Sequence, residues 1–188
     1  MARKARRNAE AVQGKRSEAV LKEVERLEKV LDIAKTNTER QGGRFVRPSK
    51  EDLIRHIRGE ASSASPFFTG LGWWPNSVPR GGTLHAQFYV YNPDPVGHGS
   101  LFVSLTFGPT NYISDSGISL TARDQRWAVY STPYFVLAPS GSYAATFDVE
   151  IPTTIPASGY QGGAFLWKGN YFGIGTLFQR ALLDFVVT

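Results

Sequence analysis

The apolar residues of this chain change their period partway along it. Up to residue 57 they recur every three or four positions, and from residue 83 onward every second position. The first spacing keeps one face of a helix apolar, and the second keeps one face of a strand apolar. The front is therefore predicted to be helical and the back to be sheet. Residues 142–151 are the plainest case of the second kind. Tyr143, Ala145, Phe147, Val149 and Ile151 alternate there with Ser142, Ala144, Thr146, Asp148 and Glu150.

The same alternation places Leu84, Ala86, Phe88 and Val90 on the inner face of residues 83–92, and Leu101, Val103, Leu105 and Phe107 on that of residues 100–107. Further strands are expected at 117–122 around Ile118 and Leu120, at 127–137, at 160–168 and at 174–187. Pro133 breaks the 127–137 run, because a proline cannot donate to a ladder and marks an edge or a bend. Turn residues such as Asn92-Pro93-Asp94-Pro95 and Gly108-Pro109 separate the runs. About seven short strands with no helical period between them predict a mainly β fold, an antiparallel β-sandwich of immunoglobulin-like or jelly-roll type. A parallel α/β sheet is excluded on the same ground.

In front of it, Ser17 and Glu18 supply an N-cap and a first-turn acid. Val20, Val24, Leu27, Leu31 and Ala34 then form an a/d seam of about two and a half heptads. Leu21, Val30 and Ile33 widen it. A lone amphipathic helix of about 30 Å is marginal in water. The seam therefore needs cover, from the same helix of another subunit, from a second helix or from the β region. That second helix is expected at 50–59, with Ser49 as cap, Leu53, Ile54 and Ile57 as its apolar face and Gly59 as its stop. The organisation expected is a flexible basic arm at 1–16, two amphipathic helices at 17–60, a linker and aromatic loop at 61–81, and the sandwich at 82–188.

Two phrases of the back, FYVYNPDP followed by GSLFVSLTF (88–107) and LAPSGSYAATFDVEIPTTIPASGY (137–160), resemble immunoglobulin-like β-sandwich modules of bacterial or viral proteins. In those modules a strand runs into an Asn-Pro turn, and a Pro-rich segment precedes a late Gly-Tyr strand. The Cys pair and central Trp of antibody domains are missing as a set. The resemblance implies a fold class, since such sandwiches host many functions.

Charge divides the chain at the same place as the period. The net charge is +5. Residues 1–60 carry 16 Lys and Arg against 10 Asp and Glu, whereas residues 61–188 carry 5 against 6. Aromatics divide the other way, with only Phe45 before residue 61. Arg3, Lys4, Arg6, Arg7, Lys15 and Arg16 stand against the single acid Glu10 over residues 2–16. Clustered cations of this kind attract nucleic acid or another polyanion by counterion release.

The back is low in charge for a free domain, in which about a quarter of residues are charged. Tyr89, Tyr91, Phe102 and Phe178 also fall on the outward register of their strands. Exposed aromatic area of this kind marks an interface, and homo-oligomers are the commonest assemblies. Self-association through the sandwich is the expectation.

No catalytic constellation is legible. The chain has no Cys, so thiol nucleophiles, disulfides and Cys-ligated metals are excluded. His56, His85 and His98 show no metal-ligand spacing, and neither a G-x-S-x-G elbow nor a phosphate loop occurs. Asp94, Asp115 and Asp124 read as turn formers, and no cofactor, metal or enzymatic activity is expected. Trp73, Trp74 and Trp167 are candidates for a stacking platform, with Trp73 and Trp74 expected on a loop beside Gly70, Gly72 and Pro75.

There is no run of about 18 apolar residues and no apolar segment behind the basic start. Cytoplasmic synthesis without a signal peptide is expected, with a virion or another large assembly as the final location. Two functions fit. One is a non-enzymatic, coat-like structural protein that self-assembles and meets an anionic partner through its arm. The other is a carbohydrate- or receptor-binding sandwich oligomerised by its helix.

Overall fold

The computed structural model describes residues 2–60, 66–109, 113–114, 117–118, 128–169 and 175–188, with side chains from residue 16 onward except at 109–130 and 175. Two helices and twelve strands are described. They are α1 (Ala2–Arg40), β1 (Arg44–Val46), α2 (Lys50–Arg58), β2 (Phe67–Trp74), β3 (Ser77–Val78), β4 (Thr83–Tyr91), β5 (His98–Pro109), β6 (Ile113–Ser114), β7 (Gly117–Ile118), β8 (Ala128–Ser131), β9 (Phe135–Leu137), β10 (Ser142–Glu150), β11 (Ser158–Gly169) and β12 (Gly175–Val187).

One sheet has the order β1-β2-β4-β10. The other has the order β3-β12-β11-β5-β8, with β9 also on β5, and β6 and β7 pair separately. The ladders are antiparallel except for the two-residue parallel contact of β3 with β12. The fold is therefore mainly β, a two-sheet sandwich behind an N-terminal helix. Its core is the alternating set read from the sequence. Leu84, Ala86, Phe88 and Val90 face Leu101, Val103, Leu105 and Phe107, all fully buried. Each large aliphatic there stabilises the fold by about 1.5–3 kcal/mol.

Two polar ties hold the turns. Asn92 is wholly buried. Its side-chain amide donates to the carbonyls of Val96 (2.9 Å) and Ala138 (3.0 Å), and its oxygen accepts from the Asp94 N–H (3.0 Å). The Tyr160 hydroxyl donates back to the Pro156 carbonyl at 2.9 Å, a tie of the same type as the tyrosine corner of immunoglobulin-like sandwiches.

The organisation differs from the expected one in two places. α1 starts at Ala2 and not at Ser17, so the backbone of the basic stretch is helical and continuous with the seam. Within the stretch expected as linker and aromatic loop, residues 61–65 lie outside the described residues and residues 67–74 are not loop. Phe67–Trp74 is a full strand between β1 and β4, so the sandwich begins well before residue 82. The 127–137 run is broken around Pro133 into β8 and β9, as the proline there predicts. Leu120 and Trp127 lie outside the described residues.

α1 lies across the outer face of the first sheet. It can come close because β2 presents Gly70 and Gly72 there. A Cβ on Gly70 would sit 2.5 Å from the Phe45 ring and 3.0 Å from Leu31, and one on Gly72 would sit 2.9 Å from the Thr38 hydroxyl. The turn from α1 into β1 is tighter still, for a Cβ on Gly43 would overlap the Trp73 carbonyl oxygen. Gly43→Ala is predicted to lower stability by about 1–3 kcal/mol, because a backbone group has to give way. Thermal or denaturant unfolding measures this, and an unchanged midpoint would contradict the packing.

Candidate functional site

The seam of α1 is covered by its own chain. Val20, Val24 and Leu27 are buried against Leu53 of α2 and against Phe67 and Tyr91 of the first sheet. Leu31, Ala34 and Thr38 continue the buried stripe along β2. The five seam residues thus serve docking within the chain and are not available as a coiled-coil face unless α1 leaves the sheet. Leu21, Val30 and Ile33 on the flanks stay exposed. Ion pairs fasten the docked helix, with Arg47 on Asp32 at 2.8 Å and Lys50 on Glu28 at 3.4 Å.

The predicted anion contacts lie at the start of the same helix. Arg3, Lys4, Arg6, Arg7 and Lys15 stand on its described backbone. Arg16 is exposed. Together with Ser17, Val20, Arg58 and Glu60 it lines a cavity of about 390 Å³. Two guanidiniums at one opening suit an anion, although Arg58 also meets Glu60 at 3.9 Å.

Where the helix lies over the sheet, Glu23 binds Arg26 at 2.6 Å. The hydrogen bond from Arg26 holds the Glu23 carboxyl below its usual range, against the effect of burial. Burial in turn pushes the Tyr91 hydroxyl up.

The three candidate platform tryptophans do not meet. Trp73 is buried in the core and donates to the Asp184 carbonyl at 2.8 Å. Trp74, the next residue along a strand, faces the other way and stacks on His85 at 5.4 Å. Trp167 lies in the second sheet, stacked on Phe102 at 6.3 Å and donating to Ser104 at 2.9 Å. A shared stacking surface from these residues is not formed.

Two of the four outward aromatics are also covered. Tyr91 lies under α1, and Phe102 lies beneath Trp167 and Tyr134. Tyr89 and Phe178 are half-buried.

Two carboxylate–imidazole pairs had no signature in the sequence. His85 meets Asp148 at 2.6 Å across β4 and β10, exposed. His98 meets Asp94 at 2.6 Å and is largely buried beside Phe178. The first depends on cross-strand register, which no local spacing reveals. The second is an i,i+4 pair between the turn at Asp94 and the first residue of β5. Among the described residues no three His, Asp or Glu side chains gather as a cation site.

His56 is half-buried and stacks on Phe67 at 4.2 Å. Its Nδ1 is buried without a hydrogen-bond partner.

No protein-family model and no curated protein sequence matches the chain. Among solved structures it is similar to the C-terminal domain of Wzt, with a TM-score of 0.50 and 9% identity over 66% of this chain and 74% of that one. It is also similar to a CARDB domain from Pyrococcus furiosus, with a TM-score of 0.39 and 13% identity over 66% and 84%. The first likeness shows a shared β-sandwich fold and nothing about activity. The second is too loose to add to it.

His56 makes the helix dock acid-sensitive. Desolvation lowers its pKa from 6.5, helped by Arg55 and opposed by Asp52. The unfolded chain therefore takes up the proton more readily than the folded one. The stability that His56 governs is expected to be complete above about pH 6.5 and to be lost as the pH drops from there toward the depressed value. His56→Gln is predicted to flatten this dependence. Unfolding midpoints measured across that range for both proteins check it, and identical slopes would contradict it.

Proposed function

We propose that the protein is a non-enzymatic structural subunit. It assembles with copies of itself through its low-charge sandwich and meets a polyanion, such as nucleic acid, through the basic start of α1. A coat-like role has these requirements. The reading is carried by the continuity of α1. The stretch with six Lys and Arg against one acid belongs to the same helix of 39 residues whose later part is packed onto the sandwich from Val20 to Thr38. At 1.5 Å per residue the first fifteen residues span about 22 Å, a rigid mount for cations and not a loose tether.

The charge partition supports assembly. Of the 128 residues after position 60, only 11 are charged, and Val96, Val136, Leu177 and Val186 are among the exposed apolar side chains. Because the α1 seam is covered within the chain, contacts between copies fall to the sandwich. The fold likeness is compatible with this and does not argue for it.

Light scattering on the purified protein is expected to show particles well above 20.7 kDa. A clean monomer at micromolar concentration would refute self-assembly. The cationic mount has its own test. Replacing Arg3, Lys4, Arg6 and Arg7 together by Gln should weaken binding to single-stranded nucleic acid and lower the slope of log affinity against log salt by up to about 3. An unchanged slope would mean that these residues touch no phosphate.

A further inference from the structure

Among the described residues the first sheet ends in β1 and β10, and the second ends in β3 and, beside β5, in β8 and β9. Exposed edges invite pairing with another chain and are normally blunted by shortness, Pro, Lys or a bulge. β1, β3, β8 and β9 are blunted by length, with three, two, four and three residues. β10 is different. It has nine residues, pairs with β4 without a register shift, and contains no Pro, Lys or Arg.

The hydrogen-bond phase of that edge follows from its two ends. The Asn92 N–H donates to the Gly141 carbonyl, and the Ile151 N–H donates to the Gly82 carbonyl, each at 2.9 Å. Bonded residues alternate along an antiparallel strand. The odd-numbered residues of β10 therefore bond to β4. Ser142, Ala144, Thr146, Asp148 and Glu150 aim their N–H and C=O groups at the outer edge, and their side chains are exposed.

We infer that this edge pairs antiparallel with β10 of a second copy, about a two-fold axis at Thr146. The pairing joins two four-stranded sheets into one of eight. It rests on the self-assembly reading above and names the surface through which that assembly begins.

The arrangement of charge selects this geometry. Antiparallel pairing about Thr146 sets Asp148 opposite the partner's Ala144 and Glu150 opposite the partner's Ser142, so no carboxylates face each other. Parallel pairing in register would stack Asp148 on Asp148 and Glu150 on Glu150, which is unfavourable. A groove of about 210 Å³ between α1 and the sheet opens at the Ser142 end, lined by Arg26, Val30, Tyr89, Ser142 and Ala144 among others. The partner's Asp148 and Glu150 would arrive beside it, next to the half-exposed Arg26 guanidinium. Glu23 already binds Arg26 there and His85 binds Asp148, so the charge pattern selects the antiparallel register by keeping like charges apart.

Three variants of the full chain test this by sedimentation velocity beside the wild type, with circular dichroism as the fold check. Thr146→Pro removes an N–H that β4 does not use and is expected to weaken association about thirtyfold, since one hydrogen bond is lost in each copy. Thr146→Lys sets like charges across the axis and is expected to weaken it severalfold; it decides the matter if the proline variant does not fold. Ala144→Lys faces the partner's Asp148 and is expected to associate as the wild type does. An associating wild type whose Thr146 variants associate equally well overturns the β10 edge and leaves self-assembly standing. Loss of association in Ala144→Lys equal to that in Thr146→Lys overturns the two-fold register. A wild type that stays monomeric overturns the self-assembly reading, and this inference with it.

Discussion

β2 is covered on both faces, and the rest of the molecule is arranged around that fact. Seven of its eight residues are buried. Phe68, Leu71 and Trp73 belong to the core between the sheets. Gly70 and Gly72 lie beneath Phe45 and the seam of α1. A strand buried on one face only would leave the apolar stripe of the helix exposed to water, at a cost that grows with its apolar area. The two glycines remove the Cβ atoms that would hold the helix away, so one strand shares its cover with a helix and a second sheet.

This docking also separates charge in space. The helical front carries its ions on the solvent side of α1 and α2, in pairs such as Glu18 with Lys22 and Asp52 with Arg55. Exposed pairs of this kind contribute little to stability, and their effect is mainly on solubility and on the approach of charged partners. The sandwich carries almost none. A sheet whose one long edge has neither cations nor proline, beneath a helix that has many cations, presents two chemically distinct faces to whatever it meets.

Much of the sheet core was legible before any fold was known. Leu84 to Val90 and Leu101 to Phe107 alternate without error, because a strand has a fixed period of two and each inward side chain meets apolar atoms. The faces failed where a third layer intervened. Tyr91 alternates outward from β4 yet is buried, because α1 covers that end of the sheet. Phe102 alternates outward from β5 yet is buried under Trp167. Trp73 and Trp74 read as a loop because Gly70, Gly72 and Pro75 surround them, and glycine usually marks a turn. Here the glycines mark a close approach of backbone and helix. The His85 and Asp148 pair was invisible for a related reason, since 63 positions separate its members and only strand register joins them.

Periodicity, capping and charge by themselves determined that the chain has a helical, cationic front and a β-sandwich back, since these properties depend on neighbours a few residues away. Ser49 caps α2 and Gly59 ends it, as local chemistry requires. The tertiary structure decided which partner covers the α1 seam, whether the outward aromatics reach water, and which of the strand edges stays long and unblunted. Those outcomes depend on contacts between residues far apart in the chain, where burial of apolar area outweighs local preference.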